Sequence, residues 1–145
     1  MAAELLRLVP ETAEAVRRNR AFPRRADVRN PAGILGRAAG VLDVSEPVAL
    51  VLVAIMHFIP DADEPREIGR RYVAALAPGS YPVLSHASML AVDPDTAEAV
   101  RTYAASSAGS FIIRTRDEVA AFFDGLELLE PGLGRGFLEG VGRKR

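Results

Sequence analysis

The sequence has 145 residues, no cysteine and a formal net charge of −1 at pH 7. This length predicts one domain with room for a sizeable core. The lack of cysteine excludes disulfides, iron–sulfur clusters and thiolate zinc sites. The near-neutral charge gives no reason to expect nucleic acid or an anionic membrane as a partner. Because no segment resembles a signal peptide, a cytoplasmic location is expected.

Two helical pieces are predicted over residues 3–9 and 11–22, joined at Pro10, which suits the first turn of a helix. Five arginines follow closely in and after the second piece: Arg17, Arg18, Arg20, Arg24 and Arg25. They form either an anion-binding strip or a solvated helix face. Because the whole chain is not basic, we favour the solvated face. Further along, Asn30 as a cap and Pro31 at the first helical position predict another short helix.

The longest apolar run begins at Val48 and ends before Pro60. It is too short to span a bilayer and shows no helical alternation, so it predicts a buried strand at 48–56 that is covered on both faces. An amphipathic helix follows over 64–77 and a second strand over 81–86. Strand, helix and strand in this order predict a right-handed crossover with parallel pairing.

The second half of the chain continues this α/β pattern. A helix is predicted over 94–107, a capping box at Thr115–Glu118 begins another, and a third strand is predicted over 126–130. Residues 111–113 are either a short strand or a loop. The fold class is therefore α/β, a partial doubly wound sheet of three to four mostly parallel strands flanked by helices. The tail, residues 134–145, has few apolar anchors and is expected to be poorly ordered.

The sequence contains only two histidines, His57 and His86, and each falls at the carboxyl end of a predicted strand. In a parallel sheet these ends share one rim, where open α/β sheets bind ligands. Either imidazole could act as a general base, so both are candidate catalytic residues; alternatively, local backbone groups satisfy their ring nitrogens. Asp27 either binds a ligand or forms a turn. No metal site is predicted, because helix capping explains Asp61 and Asp63 equally well.

Five motifs follow one another over most of residues 5–133. They are Glu11-Thr-Ala-Glu-Ala-Val-Arg-Arg-Asn-Arg-Ala-Phe22 with Arg24-Arg25, Asp27-Val-Arg-Asn-Pro31, Pro47-Val-Ala-Leu-Val-Leu-Val-Ala-Ile-Met-His-Phe-Ile-Pro-Asp61, Pro78-Gly-Ser-Tyr-Pro-Val-Leu-Ser-His86 and Glu118-Val-Ala-Ala-Phe-Phe-Asp-Gly-Leu-Glu-Leu-Leu-Glu-Pro-Gly132. Together they resemble the actinobacterial family of S-adenosyl-L-methionine-dependent methyltransferases. The resemblance implies a Rossmann-like methyltransferase sheet, S-adenosyl-L-methionine as cofactor and a small-molecule methyl acceptor as partner.

The resemblance also implies which residues would contact the cofactor. Asp27 and Val28 match family positions near the adenine ring. The loop that the family places beside the reacting methyl group corresponds to four consecutive residues here: Ala54, Ile55, Met56 and His57. The candidate cofactor-binding residues are therefore Asp27, Val28, Ala54, Ile55 and Met56.

One part of the family pattern is missing. In the family, the arginine-rich helix leads to a strand with a glycine-rich loop for the methionine part of the cofactor and then to a strand with an acidic residue for the ribose. Here Arg25 runs almost directly into Asp27. We therefore expect a single truncated domain, residues 1–133, with impaired or no catalysis, because placing the methyl donor depends on that loop.

This departure has a consequence for the strand at 48–56. Without an inner neighbour, a long apolar strand becomes an exposed edge, which invites pairing with another chain. The alternative function is therefore a non-catalytic interaction module that self-associates through this strand as a homo-oligomer.

Overall fold

The computed structural model describes residues 26–88, 111–135 and 138–145, together with positions 98 and 102. Four strands form the sheet of this part of the chain in the order β1-β2-β4-β3: β1 (Ala49–Val53), β2 (Tyr81–His86), β3 (Glu127–Leu128) and β4 (Leu138–Arg143). The α-helices are α1 (Pro31–Ala38), α2 (Pro65–Ala74) and α3 (Arg116–Ala120), and short 3-10 helices cover Met56–Phe58, Asp61–Asp63 and Ala121–Phe123. The helices predicted at 3–9 and 11–22, the arginines beside them and most of the helix predicted at 94–107 lie outside the described residues.

β1, α2 and β2 form the predicted crossover. The two strands pair in parallel, with Leu52 beside Leu84. α2 begins with Pro65 in its first turn and buries Ile68 and Tyr72 in the core that these strands share. Apolar residues at helical spacing and a proline at the start are local signals, so the sequence alone places this unit correctly.

β1 is shorter than predicted, and only one of its faces is covered. Leu52 is buried, whereas Val51 and Val53 on the opposite face are 57% and 49% exposed. The strand ends before Ala54, whose φ of 55° is left-handed and strained for a residue with a side chain. β1 is also the outermost strand among those described. The exposure of Val51 and Val53 contradicts the predicted cover on both faces.

The tail is the main correction to the sequence prediction. Poor order was expected for residues 134–145, but β4 lies within this range and pairs antiparallel with both β2 and β3. Leu138 is fully buried. A Cβ added to Gly142 would lie 2.8 Å from Cδ1 of Leu126, so glycine is needed here for that leucine to pack against the strand. The glycines of β4 therefore permit close packing in a segment that has few apolar anchors.

The fold class is α/β, as predicted, and the sheet is mixed. β1 and β2 are parallel, while the two pairings made by β4 are antiparallel. The strand predicted at 126–130 contains only two paired residues, and residues 111–113 form a loop. The capping box is confirmed: the Thr115 side chain accepts from the backbone N–H of Glu118, whose carboxylate accepts from the backbone N–H of Thr115.

Candidate site at the carboxyl ends of β1 and β2

The loops that follow β1 and β2 bring the two histidines together. His86 is the last residue of β2, and His57 lies in the 3-10 helix that follows β1. Both are buried, and their ring centroids are 5.4 Å apart. The backbone N–H of Ala87 donates to Nδ1 of His57 over 3.3 Å. The predicted shared rim therefore exists, as expected for the ends of two parallel strands.

A buried arginine, Arg114, connects the segments around this rim. Its guanidinium donates to the carbonyl oxygens of Met56 and Ile59 over 3.1 and 3.0 Å and forms an ion pair with Asp61. Its Nη1 lies 2.9 Å from Nε2 of His86. Only 6% of Arg114 is exposed, so these four partners offset the cost of removing its charge from water.

Sequence analysis did not identify Arg114. It is a single charged residue between an apolar triplet, 111–113, and the cap residue Thr115. An arginine directly after an apolar triplet is a weak signal for a buried ion pair, because a charged residue is rarely buried without a partner. That signal could have marked the position but not its partners.

His86 is a neutral imidazole with a defined tautomer. Its Nδ1 lies 2.8 Å from the carbonyl oxygen of Ala87, which can only accept, so Nδ1 carries the proton. Its Nε2 faces a donor of Arg114 and therefore accepts. Burial lowers the pKa of His86, and the nearby guanidinium acts in the same direction. The catalytic role expected of His86 stays a prediction.

His57 is also neutral near pH 7. Burial is the main cause that lowers its pKa from 6.5 to about 4, and electrostatic interaction with His86 and with the Arg114 guanidinium acts in the same direction. Its ring contacts Phe58 and Phe111, with centroid distances of 4.5 and 4.9 Å. A neutral imidazole has one nitrogen that donates and one that accepts a hydrogen bond. The role of His57 as a general base stays a prediction.

The three candidate cofactor residues after β1 differ in accessibility. Ala54 is exposed and Ile55 is half-buried. The backbone N–H of Ala54 donates to Oγ of Ser85 over 3.0 Å, which joins the ends of the two strands. The side chain of Met56 is fully buried in the core, and its carbonyl oxygen is bound by Arg114. Met56 therefore has no side-chain surface for a ligand at the rim.

Asp27 and Val28 form a turn that is tied to the loop after β1. Arg29 donates to both carboxylate oxygens of Asp27 and lowers the pKa of this carboxyl to about 2. Arg29 also donates to Asp63 over 3.0 Å. The hydroxyl of Tyr72 donates to the carbonyl oxygen of Val28 over 3.0 Å. The turn-forming alternative for Asp27 therefore agrees with its contacts, and its ligand role stays a prediction.

A cavity of about 500 Å³ lies beside the rim, between α2 and the segment from Arg114 to Asp124. Asp61 and Arg114 border both the rim and this cavity, and Val73 and Phe122 supply apolar surface. A volume of this size is typical of pockets for small organic ligands. Among the residues that the structure describes, no group of three or more histidine, aspartate or glutamate residues could hold a metal ion. None of the described helices is long and apolar enough to cross a membrane.

Solved structures share this fold. A DUF574-family protein from Streptomyces avermitilis is 32% identical with a TM-score of 0.75, and the match covers 83% of this chain and 53% of that protein. A candidate methyltransferase from Thermobifida fusca is 26% identical with a TM-score of 0.71, covering 83% of this chain and 52% of that one. This chain thus spans about half the length of either protein.

A more distant solved structure shows the same fold. An S-adenosylmethionine-dependent methyltransferase from Anabaena variabilis is 12% identical with a TM-score of 0.55, covering 84% of this chain and 58% of that protein. A search of curated proteins finds no significant match. The family model for S-adenosyl methyltransferases matches residues 25–136, which is most of the sequence. The chain therefore belongs to the S-adenosyl methyltransferase family, whose cofactor is S-adenosyl-L-methionine.

Proposed function

We propose that this chain is an S-adenosyl-L-methionine-dependent methyltransferase domain in which methyl transfer is impaired or absent. The observation that carries the proposal is the outermost position of β1 in the described sheet, with Val51 and Val53 exposed. Open α/β sheets bind ligands in the crevice where neighbouring strands end. Among the described strands, only β2 borders β1, so the described sheet supplies strands on one side of this rim alone.

The polar groups at the rim support this proposal. S-adenosyl-L-methionine needs hydrogen-bonding partners for its ribose hydroxyls, amino group and carboxylate. Ala54 and Ile55 supply apolar surface, but Arg29 already occupies both carboxylate oxygens of Asp27, and Arg114 already binds four acceptors. The described residues fit an apolar part of the cofactor and do not fit the whole of it.

Calorimetric titration with S-adenosyl-L-homocysteine tests the proposal, because this product needs no methyl acceptor in order to bind. We expect no saturable heat up to millimolar ligand, with protein that circular dichroism shows to be folded. The methyltransferase from Anabaena variabilis, which has the same fold, serves as the positive control. Saturable binding at micromolar affinity would contradict the proposal. We would then expect full methyltransferase activity.

The partner that we propose for this domain is a small molecule, the methyl acceptor of the ancestral reaction. The cavity beside Arg114 supports this class of ligand by its volume of about 500 Å³ and by the apolar surface of Phe122. Neither nucleic acid nor a membrane surface is proposed as a partner, since the formal net charge is −1. We also propose that the protein is located in the cytoplasm.

A second candidate function is self-association through β1. The strand carries no charged residue, and its outer edge pairs with no other described strand. If two copies met antiparallel about Val51, Ala49 of one would lie opposite Val53 of the other. Both exposed valine faces would then join on one side of a continuous sheet. This is strand addition, in which backbone hydrogen bonds supply affinity.

Analytical ultracentrifugation over a range of concentrations tests the second candidate. We expect the mass of the wild-type protein to rise with concentration and the Val51→Lys variant to stay monomeric, because a lysine on an edge strand opposes pairing. The matched control is Val41→Lys, since Val41 is 52% exposed and lies outside the strand. A monomeric wild type, or equal association of wild type and Val51→Lys, would rule this function out.

A further inference from the structure

We infer that Arg114 is the positioning residue of the rim: it fixes His86 as a neutral imidazole with the proton on Nδ1 and holds the loop after β1 in place. The inference concerns this chain whether or not it binds S-adenosyl-L-methionine, so it does not rest on the proposed function.

The tautomer of His86 follows from two contacts that allow only one assignment. A guanidinium has donors and no acceptor, so the 2.9 Å contact of Arg114 with Nε2 requires a lone pair on that nitrogen. The carbonyl oxygen of Ala87 has no hydrogen to donate, so the 2.8 Å contact with Nδ1 requires a proton there. A second proton on Nε2 would point at the guanidinium and repel it.

The loop after β1 is held by the same guanidinium. Arg114 reaches the carbonyl oxygens of Met56 and Ile59 and the carboxylate of Asp61, three positions along the connection between β1 and α2. These partners are 53 to 58 residues away in the chain. The planar fork of arginine can bind several acceptors at once, whereas a lysine offers one compact ammonium group. Arg114 is thus the cross-link that joins three separate segments at the rim.

This arrangement separates the roles of the two histidines. The lone pair of His86 on Nε2 is used by Arg114, so His86 cannot accept a proton from a ligand while that contact is present. His86 therefore acts as a hydrogen-bond acceptor for Arg114. The ring of His57 is held by a different set of contacts, among them the backbone N–H of Ala87.

Long-range ¹H–¹⁵N correlation spectra of protein labelled at histidine test the inference, because they report which ring nitrogen carries the proton. In the wild type we expect His86 to be protonated on Nδ1 alone from neutral to mildly acidic pH. In Arg114→Met we expect His86 to keep its proton on Nδ1, which the carbonyl oxygen of Ala87 still accepts, and to take up a second proton on Nε2 at a pH closer to the ordinary pKa of histidine. Arg114→Lys should show intermediate behaviour, since it restores the charge but not the fork.

Hydrogen exchange supplies a second measurement on the loop. The backbone N–H of Ile112 bonds to the carbonyl oxygen of His57 over 2.8 Å, which joins the segment carrying Arg114 to the rim. We expect the protection of Ile112 to fall roughly tenfold to a hundredfold in Arg114→Met. The matched control is Arg116→Met, because Arg116 donates to two carbonyl oxygens, of Leu133 and Gly134, away from the rim. The control should leave both the titration of His86 and the protection of Ile112 unchanged.

Two results would overturn the inference. One is a wild-type His86 that carries its proton on Nε2. The other is a folded Arg114→Met protein whose His86 titrates as in the wild type. If Arg114→Met does not fold, the wild-type tautomer and the titration of His86 in Arg114→Lys decide the question. Loss of global stability alone would not move the titration of His86, so a purely structural role is distinguished from a positioning role.

Discussion

β1 and β4 both pair with β2, one on each side, and they differ in composition and in burial. β1 contains only alanine, leucine and valine, yet Val51 and Val53 are about half exposed. β4 contains glutamate, arginine and two glycines, yet Leu138 is fully buried. Among the described strands, β4 has a strand on either side, whereas β1 has one. Both strands contribute to the core, through Leu52 and Leu138, so the number of neighbouring strands, more than hydropathy, decides how much of each strand is exposed.

The largest expected effect comes from truncating one residue in each strand. Leu138→Ala removes a fully buried side chain from the core and should lower the free energy of unfolding by roughly 2–5 kcal/mol. Val51→Ala removes methyl groups that are already largely in water and should change it by less than about 0.5 kcal/mol. Urea unfolding of both variants measures the difference. Equal losses of unfolding free energy in the two variants would show that Val51 is covered in solution. They would contradict the difference in burial between β1 and β4.

A smaller effect is expected from adding a methyl group to β4. In Gly142→Ala the new Cβ would lie 2.8 Å from Cδ1 and 3.1 Å from Cβ of Leu126, so the strand and its cover must shift, at a cost of roughly 1–3 kcal/mol. Gly36→Ala is the control, because no atom lies within 4 Å of its Cβ and alanine favours the helix. We expect thermal unfolding to show a lower midpoint for the first variant and an equal or higher midpoint for the second. A Gly142→Ala protein as stable as the wild type would mean that β4 is loosely packed.

The smallest expected effect is the pH dependence of the free energy of unfolding. It concerns β2, which lies between β1 and β4 and ends at His86. The pKa of His57 is lowered from 6.5 to about 4, chiefly by burial and further by electrostatic interaction with His86 and Arg114, and the pKa of His86 is also lowered. The unfolded chain therefore binds more protons than the native chain between pH 6.5 and about 4. The stabilisation is complete above this window and is lost as the pH falls through it.

We expect this loss to reach on the order of 1–2 kcal/mol by about pH 5.5. Urea unfolding at a series of pH values measures it, and the His57→Gln variant should show a shallower dependence because one of the two titrating groups is removed. The Val51→Ala variant, altered only on the exposed face of β1, should keep the wild-type dependence. If wild type and His57→Gln had the same slope, the burial of a neutral His57 would be contradicted.

The elements that sequence reasoning identified are those with local signals. α2 has apolar residues at helical spacing after Pro65, and the capping box at Thr115 brings its partner within three residues. The meeting of His57 and His86 followed from one rule, that parallel strands end at the same rim. Arg114 could not be assigned in this way, because its partners lie far away in the chain and a single residue has no periodicity.

The sequence by itself determined the crossover of β1, α2 and β2 and the family to which its motifs belong, because spacing, caps and turn residues act within a few positions of one another. Tertiary structure alone decided the rest. β4 is a strand because Leu126 packs against the bare backbone of Gly142, and β1 is an edge because no described strand pairs with its outer side. Such contacts depend on which surfaces meet after folding, and a glycine in the sequence predicts flexibility and close packing equally well.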